Sequence, residues 1–518
     1  MGVFLRRLPA AMVAMAAAVT GWPAISEAQT VNREQVIAAL PKLEALAEDA
    51  ARNALVPGIA IAVVHDDTVV YAKGFGRRAT GRPEPVDADT VFQIASLSKS
   101  VSSTLIASLV SDGVVTWDSR IADLDPSFRL LDPYPTSQLT IRDLFAHRSG
   151  LPGSAGNDLE DIGYKRAETM RRLRFVPPSS SFRAGYAYSN AGLTEGALAA
   201  VRPTGKVWED VAQERLFRAL GMASSSYRHA DFLTRANRAS LHVRSGGAWA
   251  AKIERNPDEQ APAGGVSSNV RDLAQWMRLE LADGVFDGKR LIGDAAFDRS
   301  RRMQMPLGNN PVTGETAFYG LGWNSGFGRH GLRWGHAGAF SVGAQTVVAL
   351  YPRAKLGIVV LTNAFASGVP DGLADSFADL AFDGKLDKDW IKPWGELYRS
   401  AYVAPAEKAA AELAKSPAAT TPALPLQAYE GRYANDYFGD AIVAADKGAL
   451  TMKLGPDGAR VYTLRHFDRD TFLIFPEAET PDRPYPVQFA IGPGGRAAGV
   501  KVEWLDDTGL GTFARRAE

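Results

Sequence analysis

The chain has 518 residues, 46% of them hydrophobic and 22% charged, which is typical of a folded globular protein with more than one domain. Its 58 basic and 58 acidic residues cancel, so charge gives no indication of nucleic acid or an anionic membrane as partner. The absence of cysteine excludes disulfides, thiolate catalysis and zinc–cysteine sites, and the 7 histidines form no H-x-x-x-H pair. We therefore expect neither a metal nor a cofactor.

The first 28 residues have the features of a secretory signal peptide. Arg6 and Arg7 form a basic start, the apolar run over 8–19 is shorter than a bilayer span, and an S-E-A tripeptide ends at Ala28. We expect cleavage after Ala28 and export to the periplasm or the medium; the alternative is an uncleaved anchor helix. No later stretch has about 18 unbroken apolar residues, so the sequence predicts no membrane span after cleavage.

The next segments predict helices around one hairpin. Apolar residues recur at helical spacing over 36–51, with Pro41 within the run. Residues 58–76 read as two strands joined at His65–Thr68. From residue 91 the period changes, and the spacing predicts a helix that is entered from an extended segment and ends near Gly113. Further helices are predicted over 140–153 and 267–284.

Strands return after Tyr319. The segments 332–338, 341–352 and 355–364 are apolar runs separated by turn residues. Strands at both ends with helices between them indicate one antiparallel sheet, closed by N- and C-terminal strands around a helical insert. The fold class expected for residues 29–395 is therefore α+β.

The last part of the chain is expected to be a separate domain. Residues 396–425 are rich in Ala and Pro; the first half permits a short helix, and the second half has the composition of a linker. Residues 426–518 consist of short alternating runs with Gly, Asp and Pro turns. They predict an antiparallel all-β domain, either a sandwich or a barrel.

A serine and a lysine lie one helical turn apart in FQIASLSKS. Ser96 and Lys99 share a face at the predicted start of the 91–113 helix. A serine needs a base to become a nucleophile, and a lysine can serve once burial lowers its pKa. The helix N-terminus adds a backbone N–H that can bind an oxyanion. The alternative is a solvated polar turn.

Two further short patterns hold polar groups suited to the same chemistry. Tyr188 and Asn190 form a Y-x-N, where a phenol can move a proton and an amide can hold a carbonyl or an ammonium. His336 and Gly338 form an H-x-G at a predicted strand, where the histidine can line a cleft. Each pattern is weak alone, and a structural surface histidine is the alternative for His336. We interpret His147 as a structural turn residue and place His330 on a turn.

Taken in order, S-x-x-K, Y-x-N and H-x-G resemble the penicillin-recognising serine hydrolases, specifically the class C β-lactamase-like group of β-lactamases, D-peptidases and esterases. The stretches DADTVFQIASLSK, LFAHRSGLP, PAGGVSSNVRDLAQWM and YGLGW extend the resemblance over about residues 33–385. It implies a β-lactamase/transpeptidase-like α/β sandwich with a helical subdomain. The segments YEGRYANDYFG, GALTMKLGP and DRDTFLIF resemble the lipocalin-like β-barrel appended to some peptidases of the group.

The resemblance implies a role for each motif residue. Ser96 is the acylated nucleophile, while Lys99 and Tyr188 share the acid and base work. Asn190 orients the substrate, and His336 takes the place of the lysine in a K-T-G motif. The backbone N–H groups of Ser96 and Ala339, the latter next to Gly338, form the oxyanion hole. The barrel is implied to assemble homo-oligomers or to narrow access to the site; the alternative is a passive stabilising appendage.

One departure from the group changes the expected substrate. His336 is largely neutral at pH 7 and Ala337 has no hydroxyl, so the carboxylate-binding pair of true β-lactamases is missing. We therefore expect a peptidase or amidase for small peptides, including peptides with D-residues. The alternatives are a carboxylesterase or weak β-lactamase, and, in another class, a non-catalytic penicillin-recognising binding protein.

Overall fold

The computed structural model describes residues 30–245, 247–415, 420–476 and 483–517. The expected signal peptide, residues 1–28, lies outside the described residues. Within those residues, no helix has both the length and the hydropathy that crossing a bilayer requires.

One helix precedes the first hairpin, most of the helices fill the middle of the chain as the sequence predicted, and three more follow the last strand of the sheet. The 20-residue first helix continues through Pro41 without a break. The α-helices of the described ranges are α1 (Arg33–Arg52), α2 (Ser98–Ser111), α3 (Ile121–Leu124), α4 (Pro133–Gln138), α5 (Ile141–Phe145), α6 (Asn157–Asp161), α7 (Arg166–Arg172), α8 (Asn190–Val201), α9 (Trp208–Ala212), α10 (His229–Thr234), α11 (Ala261–Gly264), α12 (Val270–Leu281), α13 (Asp294–Arg301), α14 (Val369–Asp383), α15 (Ile391–Tyr398) and α16 (Ala404–Ala414).

One eight-stranded antiparallel sheet forms the centre of the first domain, in the order β2-β1-β8-β7-β6-β5-β4-β3. Its strands are β1 (Gly58–His65), β2 (Thr68–Gly76), β3 (Met305–Asn309), β4 (Thr316–Tyr319), β5 (Asn324–Gly328), β6 (Gly331–Phe340), β7 (Ala344–Tyr351) and β8 (Leu356–Thr362). The N-terminal strand β1 pairs with the C-terminal strand β8, with Ile61 opposite Val360. This closure of the sheet by both ends of the domain confirms the predicted α+β fold.

Helices cover both faces of the sheet, and alternate residues of β1 belong to different cores. Ile61 packs in a cluster with side chains of α1 and α14. Its neighbour Ala62 packs in a larger cluster with side chains of α2 and α12. All eight residues of β1 are buried, because successive side chains of a strand point to opposite faces and both faces are covered.

The C-terminal domain is a closed eight-stranded antiparallel barrel, which confirms the barrel alternative. Closure leaves no unpaired strand edge. Its strands are β9 (Gly431–Asn435), β10 (Gly439–Asp446), β11 (Ala449–Leu454), β12 (Arg460–Asp468), β13 (Thr471–Ile474), β14 (Tyr485–Ile491), β15 (Ala497–Val502) and β16 (Thr512–Arg515).

The barrel docks on the helical subdomain of the first domain through buried hydrogen bonds. The Gly156 N–H donates to the Tyr437 hydroxyl at 2.7 Å, and the Tyr164 hydroxyl donates to the Phe438 carbonyl at 2.9 Å. Arg172 donates to the Tyr437 carbonyl at 2.7 Å. Apolar residues of the two domains also form one contiguous buried cluster. The barrel therefore has a defined docking position beside α6 and α7.

The segment between the domains is helical in its first half. Helix α15, the turn Arg399–Val403 and helix α16 follow one another directly. The rings of Tyr398 and Tyr402 lie with their centroids 6.0 and 5.5 Å from the ring of Phe365. The boundary expected after residue 395 therefore falls inside a helix that packs against the first domain as far as Tyr402.

Candidate active site

Ser96 lies where an extended segment turns into helix α2. Phe92–Gln93 pairs with Ser267–Ser268, and a 3₁₀ turn over Ala95–Leu97 follows. Ala95 is buried with a φ of +49°, a left-handed conformation that is costly for a non-glycine residue. Strain of this kind is held only where the surroundings enforce it, commonly at functional sites. Here the strained residue directly precedes Ser96, which is the central residue of the turn.

The Lys99 side chain is fully buried and is held by three oxygen atoms. Its Nζ lies 2.9 Å from Ser96 Oγ, 2.7 Å from Asn190 Oδ1 and 2.9 Å from the Ala263 carbonyl. None of the three is a carboxylate. Burial without a counter-charge lowers the pKa of Lys99 well below its ordinary value. The environment of Lys99 thus favours the neutral amine over the ammonium form.

The three partners of Lys99 differ in what they can donate. Asn190 Oδ1 and the Ala263 carbonyl are acceptors only, whereas the Ser96 hydroxyl both donates and accepts. A neutral amine has two N–H bonds and one lone pair. With its N–H bonds directed at Asn190 and Ala263, the lone pair of Lys99 faces Ser96 Oγ. The geometry suits the transfer of the serine proton to the lysine.

Tyr188 lies over the same lysine. The Lys99 Nζ is 4.5 Å from the centroid of the Tyr188 ring. Burial raises the pKa of the Tyr188 hydroxyl above its ordinary value, and its hydrogen bond with the Ser96 side chain offsets part of the rise. The phenol therefore keeps its proton at neutral pH. In this arrangement Lys99 has the lone pair that a base needs, and Tyr188 keeps a proton that it can donate or relay.

The position of Asn190 follows from the cap of helix α8. Ser189 is the N-cap residue, and its side chain accepts from the Gly192 N–H at 3.0 Å. Asn190 begins the helix and its side chain extends toward Lys99. Its amide orientation is determined by the lysine, because Oδ1 must accept there and Nδ2 is left to donate to Asn157 Oδ1 at 3.4 Å.

Strand β6 runs close beside the turn that holds Ser96. A methyl group on Gly338 would overlap the Ile94 carbonyl oxygen and lie 2.8 Å from the Leu97 N. Only glycine permits this approach of strand and turn. The next residue, Ala339, lines a cleft of about 150 Å³ together with Ser96 and Asn190. Two backbone segments thus meet where the sequence predicted an oxyanion hole.

A hydrogen-bond network extends from the lysine along the cleft wall. Gln260 Nε2 donates to Asn157 Oδ1 at 3.3 Å and to Glu160 Oε2 at 2.5 Å. Glu160 in turn binds Arg255 through both carboxylate oxygens, at 2.9 and 3.0 Å. Because Asn157 also accepts from Asn190, the network connects the Arg255 guanidinium to the group that holds Lys99. These residues come from separate loops and helices.

His336 is buried next to the Ser96, Lys99 and Tyr188 group and is not among the side chains that line the 150 Å³ cleft. Its side chain is buried, with ring centroids 6.2 Å from Tyr188 and 5.9 Å from Tyr319. Strand alternation puts His336 on the same face of β6 as Gly338, which is the face that packs against the Ser96 turn. Burial and the nearby charge of Lys99 lower the pKa of His336 to about 3. A neutral imidazole at this site cannot replace the charge of a K-T-G lysine.

Two histidines and one tyrosine form a buried chain of hydrogen bonds. The Ser189 N–H donates to His147 Nδ1 at 3.0 Å, so the proton of neutral His147 is on Nε2. That group lies 3.2 Å from the Tyr319 hydroxyl, which lies 3.0 Å from His336 Nε2. The chain ends with His336 Nδ1 donating to the Ala337 carbonyl at 2.6 Å. It joins the Y-x-N segment to strand β6.

His147 is therefore more than a turn residue. It does adopt a left-handed turn conformation, with a φ of +54°. Burial is the main reason that its pKa falls well below the ordinary value, and the charge of Lys99 adds to the effect. Sequence reasoning missed its partner Tyr319 because the two residues are 172 positions apart. The stretches LFAHRSGLP and YGLGW, which contain them, were the available signal.

One group of side chains in the described residues has the donors of a metal site. His330, Asp379 and Asp383 bring three ligand atoms within 4.8 Å of one another. Arg329 already pairs with both carboxylates, at 3.2 Å for Asp379. This cluster is an ion-pair network near the end of α14, on the opposite face of the sheet from α2.

The comparisons with known proteins agree with this geometry. A beta-lactamase family model matches residues 43–382, and a domain of unknown function, DUF3471, matches residues 415–511. The unguisins hydrolase ungD of Aspergillus violaceofuscus is 26% identical over 89% of this chain and 87% of its own length. The D-alanyl-D-alanine-carboxypeptidase/endopeptidase AmpH of Escherichia coli is 23% identical over 65% of this chain and 87% of its own.

A solved structure has the same two-part architecture. The octameric penicillin-binding protein homologue of Pyrococcus abyssi aligns with 90% of this chain and 98% of its own, with a TM-score of 0.57 and 20% identity. At that identity the likeness shows the fold alone. The family model covers well over half of the chain, and the chain belongs to the beta-lactamase family.

Proposed function

We propose that the protein is a serine hydrolase that acts through an acyl-enzyme on Ser96, with small peptides or amides as substrates. The observation that carries the proposal is the environment of Lys99. Its amine is fully buried, has no carboxylate partner among the described residues and directs one of three hydrogen-bonding positions at Ser96 Oγ. A purely structural lysine would be expected to have a carboxylate partner or a solvated ammonium.

The proposed cycle has two halves. Lys99 takes the proton of Ser96 as Oγ attacks the substrate carbonyl, and the backbone N–H groups of Ser96 and Ala339 stabilise the oxyanion. The proton then passes from Lys99 through the Tyr188 hydroxyl to the leaving nitrogen, and the acyl-enzyme remains. In the second half, water attacks the ester and gives up a proton through Tyr188 to Lys99. Lys99 then returns a proton to Ser96 Oγ as the acyl C–O bond breaks, which releases the acid product and restores the free serine and the neutral amine.

The side chains of strand β6 favour peptides and amides over β-lactams as substrates. His336 is neutral and buried, and Ala337 has no hydroxyl, so neither can hold a drug carboxylate. Among the relatives, one is named as a carboxypeptidase and endopeptidase for D-alanyl-D-alanine. Turnover of simple esters is compatible with the same Ser96 chemistry and is the second candidate activity.

A non-catalytic binding protein is the rival from another class. A binding protein would require only the cleft and would have no need of a buried lysine without a counter-charge. The costly burial of Lys99 beside Ser96 supports the enzyme. The rival predicts that reactive phosphonates leave Ser96 unmodified.

The test is covalent labelling with a fluorophosphonate, followed by turnover of p-nitrophenyl esters and of L- and D-aminoacyl amides. We expect label on Ser96 in the wild type and loss of label and turnover in Ser96→Ala. Ser98→Ala is the matched control, because the Ser98 hydroxyl is buried and accepts from the Val266 N–H at 3.0 Å, away from Lys99. Label on Ser98, or full turnover by Ser96→Ala, would refute the assignment.

Export and assembly are separate proposals. We propose that the chain is exported and cleaved after Ala28, as the basic start and apolar run of its first residues indicate. Mass analysis of protein from a secretion-competent host should give a mature chain that begins at Gln29. Assembly of homo-oligomers through the barrel is a prediction, tested by light scattering of the mature protein.

A further inference from the structure

A second groove, of about 720 Å³, opens beside the catalytic cleft and between the two domains. Glu160, Asp161 and Arg255 line both the groove and the cleft, so the two spaces adjoin at these residues. The cleft alone holds about 150 Å³, which is below the roughly 300–1,000 Å³ of ligand sites. The groove falls inside that range. A substrate larger than its reacting group must extend out of the cleft, and this groove adjoins it.

The barrel supplies one wall of the groove through strand β12. The wall includes Arg460–Thr463 and Phe475. Val461 is 60% exposed and Phe475 is 38% exposed, so both side chains present apolar surface to the groove. On the facing wall, Ile253 and Val342 also line the groove. Apolar side chains therefore face the same space from both domains.

The cations of the groove differ in their pairing. Arg255 is bound bidentately by Glu160, and Lys165 pairs with Glu259 at 2.9 Å. The exposed Arg460 makes no hydrogen bond or ion pair with any residue that the structure describes. Its guanidinium is free to bind a carboxylate with two parallel hydrogen bonds.

The opposite wall restricts where an anionic group can lie. Glu254 lines the groove from the first domain, and its side chain is 61% exposed. A carboxylate is repelled there and attracted by Arg460 on the barrel side. The two walls thus orient a ligand that has an anionic end.

We propose that this groove is the distal subsite for an extended peptide substrate. An apolar side chain packs on Val461 and Phe475, and a carboxylate pairs with Arg460. The inference rests on the proposed hydrolase function, whose reacting group is in the cleft at Ser96. It gives the barrel a direct part in substrate selection.

Binding without turnover tests the subsite. Two fluorescent peptides of one sequence, with an apolar residue before a C-terminal carboxylate or carboxamide, are titrated into full-length Ser96→Ala protein by anisotropy. We expect the carboxylate peptide to bind more tightly, and adding Arg460→Ala to weaken it about tenfold with little effect on the carboxamide. Val461→Asp should weaken both. Arg432→Ala is the matched control, because Arg432 is exposed on the barrel and pairs with Asp440.

The outcomes distinguish the subsite from the proposed function. Equal affinities for both peptides, unchanged by Arg460→Ala and Val461→Asp, overturn the subsite even if the wild type hydrolyses esters. Arg460-dependent binding by a wild type that is neither labelled nor active supports the subsite and overturns the hydrolase.

Discussion

Deleting the Tyr319 hydroxyl should destabilise the first domain, because that group is the centre of the buried chain. In Tyr319→Phe the ring stays, but two imidazole nitrogens lose their partner. His147 Nε2–H loses its acceptor at 3.2 Å, and His336 Nε2 loses its donor at 3.0 Å. Both rings are buried, so water does not replace the hydroxyl.

The expected magnitude follows from these two orphaned groups. A buried donor or acceptor without a partner costs about 1–3 kcal/mol. Two such groups give a loss of about 2–6 kcal/mol in the free energy of unfolding. The chain also connects Ser189, next to Tyr188 and Asn190, to strand β6. We therefore expect kcat/KM to fall about tenfold or more as these side chains lose their alignment.

Urea unfolding followed by tryptophan fluorescence measures the first effect. Tyr186→Phe is the matched control, because Tyr186 belongs to the same ring cluster, 5.4 Å from Tyr319, and its hydroxyl makes no hydrogen bond with any described residue. It should change the unfolding free energy by less than about 0.5 kcal/mol. Equal effects of the two variants would refute the hydrogen-bond chain as a source of stability.

Three further predictions concern the site and the contact between the domains. Burial lowers the pKa of Lys99, and its neutral form is the proposed base, so kcat/KM should rise with pH through a pKa below that of ordinary lysine. Because arginine is always protonated, Lys99→Arg should lower kcat/KM about a hundredfold or more at every pH tested. Gly338→Ala, which overlaps the Ile94 carbonyl, should lower kcat by about 100-fold or more in steady-state assays, and near-normal rates would contradict the close approach. Gly455 has a φ of +80° and lies against the Ile162 carbonyl, so Gly455→Ala should weaken the contact between the barrel and the first domain. Limited proteolysis of the barrel should then be faster, and an unchanged cleavage pattern would argue against a rigid contact between the domains.

The local features of the site were predictable because they depend on short spacings. A serine and a lysine one helical turn apart need no tertiary information, and Ser96 and Lys99 are in contact as expected. The same holds for the hairpin of β1 and β2, where strand period and turn residues coincide. The burial of His336 beside Tyr188 could not be read from the H-x-G spacing, because it depends on how β6 packs against the Ser96 turn.

The wall of the cleft could not be predicted. Asn157, Glu160, Arg255 and Gln260 come together from segments about 100 residues apart, and none lies in a pattern with a chemical meaning of its own. Their roles depend on loop paths that only the packed structure defines. The helical continuation past residue 395 depends likewise on tertiary contacts, in this case with Phe365.

The short helix α6 and the residue before it contact the barrel and also line the cleft. The Gly156 N–H just before it binds the barrel, and Asn157 and Glu160 within it face the cleft. Evolution and protein engineering meet the same constraint here. A barrel taken from a relative must fit this loop; otherwise both the contact between the domains and the wall of the cleft are disturbed. Productive chimaeras should therefore exchange α6 and the barrel as one inherited unit, even though about 260 residues of chain separate them.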